Sequence, residues 1–299
     1  MGRPITRSNS LLQSKNASLQ EISAATTAVG VSQNGQTSPS SSSSSKIPFR
    51  PRKIRKLTAA TKTTTTVVTT IPPSLNATLK PLSHEGEIDL ALQHLRHSDP
   101  LLAAVIDTHK PPTFESRGPP FLSLARSILY QQLATNAANI IYQRFLTLCG
   151  GEAGVVPDNI LSITPEKLRG IGVSGRKASY LHDLAGKYRD GSLSDSAIVA
   201  MEDDDVLLSS LTAVKGIGVW SVHMFMISTL HRPDVLPVGD LGVRKGVQHL
   251  YGLKDLPPPA QMEQVCAKWK PYRSVGSWYM WRLMDAKAAL AKAAKKKPT

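Results

Sequence analysis

From about residue 84 onward, apolar side chains recur at three- and four-residue spacing in blocks parted by short Gly, Pro and Asp punctuation. Alternating stretches of the kind a half-buried strand needs are almost absent. The pattern predicts helices over 87–97, 101–108, 121–148, 158–163, 165–169, 175–189, 203–214, 219–229, 241–250, 259–269 and 274–294. An all-α fold follows. Thr164, Pro165 and Glu166 mark one helix start clearly, because the threonine hydroxyl can cap and proline at the first helical position forfeits no hydrogen bond. Before residue 84 the helical pattern vanishes. Serine fills 40–45, threonine fills 63–66, and prolines stand at 72, 73 and 81, a composition that buries too little surface to offset chain entropy. The expected organisation is a disordered, basic Ser/Thr-rich tail over 1–83, a helical domain over 84–294 and a basic tail over 295–299.

Charge changes this picture less than its total suggests. The chain of 299 residues has a formal net charge of +14, but residues 1–80 carry 11 Lys and Arg against the single acid Glu21, and residues 286–299 carry five lysines and no acid. The middle is therefore close to neutral, and a nucleic-acid footprint on the folded part must be a local patch. The cluster at 50–56, Arg-Pro-Arg-Lys-Ile-Arg-Lys, fits a nuclear import signal, with a plastid or mitochondrial transit sequence as the alternative. Two cysteines, Cys149 and Cys266, are too few for a disulfide framework, a four-cysteine zinc site or an iron–sulfur cluster. The apolar stretches fall short of a membrane span, so no membrane role is expected.

The most informative stretch is 211–222, Leu-Thr-Ala-Val-Lys-Gly-Ile-Gly-Val-Trp-Ser-Val, in which one helix ends in Gly-Ile-Gly and another begins at once. Gly216 and Gly218 permit positive φ and bring the backbone to the surface, while Ile217 can tuck beneath the turn. The amides of Gly218, Val219 and Trp220 then open a helix, where free N–H groups and the dipole favour a phosphate. Such a grip holds a strand without reading its sequence. Lys215, just before the turn, is a further candidate phosphate contact. The same Gly-Ile-Gly core recurs at 170–172, which suggests a second, structural hairpin whose Arg176 or Lys177 could meet phosphate or stay solvated. A glycine turn alone supports DNA contact and no chemistry.

The whole string, followed by Asp-Val-Leu-Pro-Val-Gly-Asp-Leu-Gly-Val-Arg at 234–244, resembles the DNA-3-methyladenine glycosylase II family, a branch of the helix-hairpin-helix DNA glycosylases. The resemblance extends over about 121–281. It includes Phe121 to Gln132, the stretch 172–181 and Trp-Lys-Pro-Tyr-Arg-Ser at 269–274. It implies a two-lobed helical domain acting as a monomer on double-stranded DNA, hydrolysing the N-glycosidic bond of alkylated purines and leaving an abasic site. Asp240 stands at the family's catalytic place, although an aspartate there also suits a plain helix cap for the segment starting at Leu241.

Trp220 occupies the place where bifunctional relatives carry a lysine nucleophile, so base removal without strand cleavage is expected. Trp281 aligns with the family's base-stacking position, Trp278 is a second candidate wall, and Trp220 is a buttress; aromatic faces suit a cationic base. Gln132 and Leu133 lie where the family inserts a side chain into the duplex to fill the space of a flipped base. The resemblance also implies a structural sodium or potassium ion at the hairpin, held by the backbone carbonyls of Thr212, Val214 and Ile217, and no other cofactor is expected. The competing readings are a passive hairpin module that only binds DNA, and a mismatch or oxidised-base glycosylase on the same fold.

Overall fold

Every predicted block of apolar spacing is helical over most of its length in the computed structural model, which describes residues 79–115 and 117–296. The tail reading for residues 1–78, the basic cluster at 50–56 and the last three residues lie outside the described residues. Among the described residues there are only helices and turns: α1 (Glu87–Ser98), α2 (Pro100–Thr108), α3 (Pro120–Tyr130), α4 (Thr135–Cys149), α5 (Pro157–Ser162), α6 (Pro165–Gly170), α7 (Gly175–Arg189), α8 (Asp195–Ala200), α9 (Asp204–Thr212), α10 (Val219–Ser228), α11 (Leu241–Leu250), α12 (Pro259–Val265) and α13 (Arg273–Lys296).

Two groups of helices form. In one, α13 lies along α11 and packs on α1 and α2, with α12 and the short 3₁₀ turn at Ala267–Trp269 completing the layer. In the other, α7 is central, with α3, α5 and α6 against it, α4 and α8 on α3, and α10 meeting both α9 and α3. The chain passes between the groups at 109–119 and again at 229–240. A single continuous core runs through both.

Four departures from the pattern have physical causes. Leu82 is 1% exposed and its N–H donates to the His231 carbonyl (2.8 Å), so packed chain starts inside the segment assigned to the tail. Burying one leucine contributes about 2 kcal/mol, and the backbone bond to His231 adds to it. The predicted helix 121–148 is broken at 131–134, where Gln132 takes φ +56 and Gln131 leaves the helix to reach the hairpin. No glycine or proline announces that break; a tertiary hydrogen bond makes it. Helix α8 has too short an apolar run to be visible in the pattern. It is capped by the Ser194 hydroxyl and tied down by Asp195, which accepts from the Phe121 N–H and the Tyr188 hydroxyl, each at 2.9 Å. The block 259–269 ends as a helix at Val265 and finishes as the 3₁₀ turn.

The first group is held by a buried acid. Asp99 is 0% exposed and caps α2 through the Leu101 and Leu102 amides, while its other oxygen accepts from the Trp269 indole (2.8 Å) and the Tyr251 hydroxyl, with Lys268 at 3.4 Å. Burial alone would push its carboxyl up. The bonds from Tyr251, Trp269 and Leu102, with Lys268 beside them, outweigh burial and hold it below the ordinary carboxylate value.

Candidate active site

Asp240 lies on the second connection between the two groups of helices and begins α11. Its side chain is 0% exposed, yet it is fully engaged: Oδ1 accepts from the Val243 amide (2.8 Å) and the Trp281 indole N–H (2.9 Å), and Oδ2 from the Trp220 indole N–H (2.8 Å). Trp220 belongs to α10 in one group and Trp281 to α13 in the other. One carboxylate thus joins both lobes through three N–H donors, and its capping and its functional candidacy coexist. Gly242 is required here, because a Cβ would stand 2.9 Å from the Trp281 ring and 3.1 Å from Asp240 Oδ1.

The connection carrying Asp240 is stitched to the start of α13. Ser274 Oγ donates to the Arg232 carbonyl (2.6 Å) and accepts from the Val235 N–H (3.0 Å), and Arg273 grips Asp234 through Nε at 2.6 Å and NH2 at 3.0 Å. Asp234 is therefore an anchor. Ser274→Ala strands a buried Val235 N–H and is expected to cost about 1–3 kcal/mol, read as a lowered midpoint in urea titration.

The hairpin has the expected form at Gly216 and Ile217, whereas Gly218 is extended at φ −100 and uses no positive φ. Ile217 is 5% exposed beneath the turn and its N–H donates to the Val214 carbonyl at 3.1 Å. Gly216 takes φ +80, and Gly218 sits at the cap position of α10 without a side chain to close it, leaving the first-turn amides facing outward. The echo at 170–172 is out of structural register by two residues: Gly172 (φ +100) stands where Gly216 does and Ser174 where Gly218 does, and at α7 the Ser174 hydroxyl accepts from the Lys177 N–H. The start of α10 has no side chain over it, whereas that of α7 has the Ser174 hydroxyl. Replacing Gly216 by alanine would set a Cβ 2.1 Å from the Tyr180 ring at a φ that L residues avoid. An expected loss of about 1–3 kcal/mol in stability should accompany weaker duplex binding, read by melting and gel shift.

The other candidates divide. Gln132 is exposed on the 131–134 loop and Leu133 is half-buried beside it, so both stand on a protruding turn. That loop is bound to the hairpin, since Gln131 Nε2 donates to the Gly216 carbonyl at 2.8 Å. Lys215 is exposed but already committed, its ammonium 3.2 Å from Asp183 Oδ1 and its N–H 2.9 Å from Oδ2, so its charge reaches a phosphate only in competition with that acid. Lys177 points inward, to the Leu129 carbonyl at 2.7 Å, and is no phosphate contact. Trp278 holds the Arg282 guanidinium 5.2 Å from its ring centroid and packs edge-on to Tyr279, so a cation already meets one ring face. Trp281 is 3% exposed and fixes the carboxylate, whereas Trp220 is half-buried and offers more open ring surface. The sequence pattern gave no sign of Gln131 or Asp183 as parts of this surface, and it offered Lys177 only as a phosphate contact or a solvated residue; Lys177 and Asp183 share a helical face with Tyr180, which was the available signal.

Residues 125–271 match the family described as HhH-GPD superfamily base excision DNA repair protein. DNA-3-methyladenine glycosylase 1 of Schizosaccharomyces pombe is 30% identical over 184 residues, which cover 60% of this chain and 79% of the relative. The crystal structure of a DNA-3-methyladenine glycosidase from Bacillus halodurans superposes with a TM-score of 0.59 at 32% identity, covering 64% of this chain and 88% of that one. The Schizosaccharomyces pombe 3-methyladenine DNA glycosylase, solved in complex with abasic DNA, superposes with a TM-score of 0.56 at 29% identity, over 64% of this chain and 95% of that one.

Proposed function

This chain belongs to the HhH-GPD superfamily of base excision DNA repair proteins, and from that premise we propose that it is a monofunctional glycosylase, acting as a monomer, that hydrolyses the N-glycosidic bond of alkylated purines of the 3-methyladenine type. The observation that carries this reading is the buried Asp240 carboxylate, held between indoles of two lobes at the end of the connection that follows the hairpin helix. In the reaction the bond from the sugar C1′ to the purine breaks and its electron pair leaves with the base, which departs neutral because alkylation had made it cationic. Positive charge then develops on the sugar. A fixed carboxylate in a water-poor site opposes that charge without having to reorganise, and it can take the proton of the water that adds to C1′.

The remaining residues would bind and position. The outward amides of Gly218, Val219 and Trp220 hold a phosphate, with Gly216 allowing the turn and Lys215 secondary to it. Gln132, exposed on its loop, fills the space of the extruded base, with Leu133 beside it. The base lies against the Trp220 and Trp281 indoles, chiefly the more open Trp220. The carbonyls of Thr212, Val214 and Ile217 belong to one turn, and such neutral oxygens fit a monovalent cation such as sodium or potassium that would brace the hairpin. Trp220 has no amine with which to attack the sugar.

The test uses a duplex with a single N-alkylated purine. The expected product is an abasic site that breaks only after alkali, with no covalent adduct trapped by borohydride. A nick without alkali, or a trapped adduct, contradicts the hydrolytic route; an unchanged strand with binding retained favours the passive module. The cluster at 50–56 supports a nuclear destination over an organelle, which a fluorescent fusion with and without those lysines and arginines would decide.

A further inference from the structure

Helix α7 carries Lys177, Tyr180 and Asp183 at successive three-residue steps, hence on one face. Each meets a different piece of the surface assigned to DNA. Lys177 Nζ donates to the Leu129 carbonyl (2.7 Å) in the last turn of α3, directly before the 131–134 loop. The Tyr180 ring lies against the Cα of Gly216, so close that a Cβ there would come to 2.1 Å. Asp183 accepts from the Lys215 N–H (2.9 Å) and pairs with its ammonium (3.2 Å). A fourth contact closes the figure, because Gln131 from the loop donates to the Gly216 carbonyl of the hairpin (2.8 Å).

Lys177 is partly buried, and burial pulls its ammonium below the usual lysine value, yet it is ordered onto a carbonyl at the negative end of a helix. Gln132, next in sequence to Gln131, holds φ +56, a conformation a non-glycine residue keeps only where its surroundings over-determine it. The loop and the hairpin are 85 residues apart in sequence at the Gln131–Gly216 bond, so nothing local fixes their spacing.

We propose that this face of α7 registers the 131–134 loop against the hairpin, so that strand grip and insertion of the loop into the vacated base position occur in one fixed geometry. Lys177, Asp183 and Gln131 are positioning residues for base extrusion. The inference rests on the reading of the hairpin and of Gln132 given above. Its physical basis is that extrusion must be met by filling, and a loop displaced by an ångström from the gripped strand fills poorly.

The experiment compares one N-alkylated purine in two duplexes, fully paired and opposite an abasic-site analogue, where extrusion costs little. Lys177→Met keeps the stem and removes the ammonium; Gln131→Leu removes the amide that bonds the Gly216 carbonyl and keeps a side chain of similar size at a half-buried position. Both variants are expected to lose about tenfold or more in single-turnover rate on the paired lesion, and less than about twofold on the unpaired one. Equal loss on both substrates, or loss on neither, overturns the proposal, with melting curves run alongside to identify a folding defect. Gln132→Ala separates the two layers of the argument. If it slows the paired substrate while Lys177→Met and Gln131→Leu do not, registration is wrong and the filling role stands. If it has no effect while those two keep their paired-selective loss, registration stands and Gln132 is not the filling residue.

Discussion

Asp240→Asn is expected to lower the single-turnover rate of alkylpurine excision by about 10³-fold, with duplex affinity held within about threefold. Asparagine has one oxygen, which can keep the bonds from the Val243 amide and the Trp281 indole, but its NH2 must then face the Trp220 indole N–H at a contact that now measures 2.8 Å. Donor against donor in a site that is 0% exposed costs about 1–3 kcal/mol in addition to the lost charge. Rates should therefore be taken well below the melting point of the variant, so that unfolding does not imitate a chemical defect. A rate within tenfold of wild type would remove Asp240 from the chemistry and leave it as a cap that joins two lobes.

The sequence makes part of this site legible and hides the rest for identifiable reasons. Gly216, Ile217 and Gly218 are readable because a turn that needs positive φ and a tucked apolar residue has few solutions, and Asp240 is readable because a resemblance fixes its place. The two indoles converging on that carboxylate are not readable as such, since Trp220, Asp240 and Trp281 are separated by 20 and 41 residues and only packing of the lobes brings them together. Trp281 shows the difference sharply: alignment offers its ring face for stacking, and only the structure shows its N–H bonded to the acid. The helix break at 131–134 escapes for a related reason. Gln131, Gln132 and Leu133 are good helix residues, and it is the hydrogen bond to Gly216 that overrides their propensity. Leu82 hides because a single leucine in a proline-containing stretch has no period to announce its burial.

The second large effect concerns stability. Asp99→Ala would leave the buried Trp269 indole N–H and the Tyr251 hydroxyl without their acceptor, uncap α2 and free Lys268. The expected loss is about 3–5 kcal/mol, a fall of roughly 10 °C in Tm for a domain of this size. The pH dependence has a definite sign. The folded-state carboxyl sits below its unfolded value, so its contribution is complete above the ordinary carboxylate range and is lost as pH falls through the lowered folded value. The stability gap between wild type and Asp99→Ala should therefore be constant above about pH 5 and shrink below it. A gap that widens on acidification would mean that Asp99 is neutral in the folded protein and that the Tyr251 and Trp269 bonds do not hold its charge.

The claim that an open hairpin and a caged carboxylate together make a base-releasing enzyme is tested most directly by incubating wild-type protein with methylated duplex DNA and identifying the released small molecules by mass spectrometry. The expected products are free purines that still carry their methyl groups, appearing in step with alkali-labile sites and with strands otherwise intact. Release of no base from DNA that the protein demonstrably binds, or release accompanied by immediate strand scission, would contradict it.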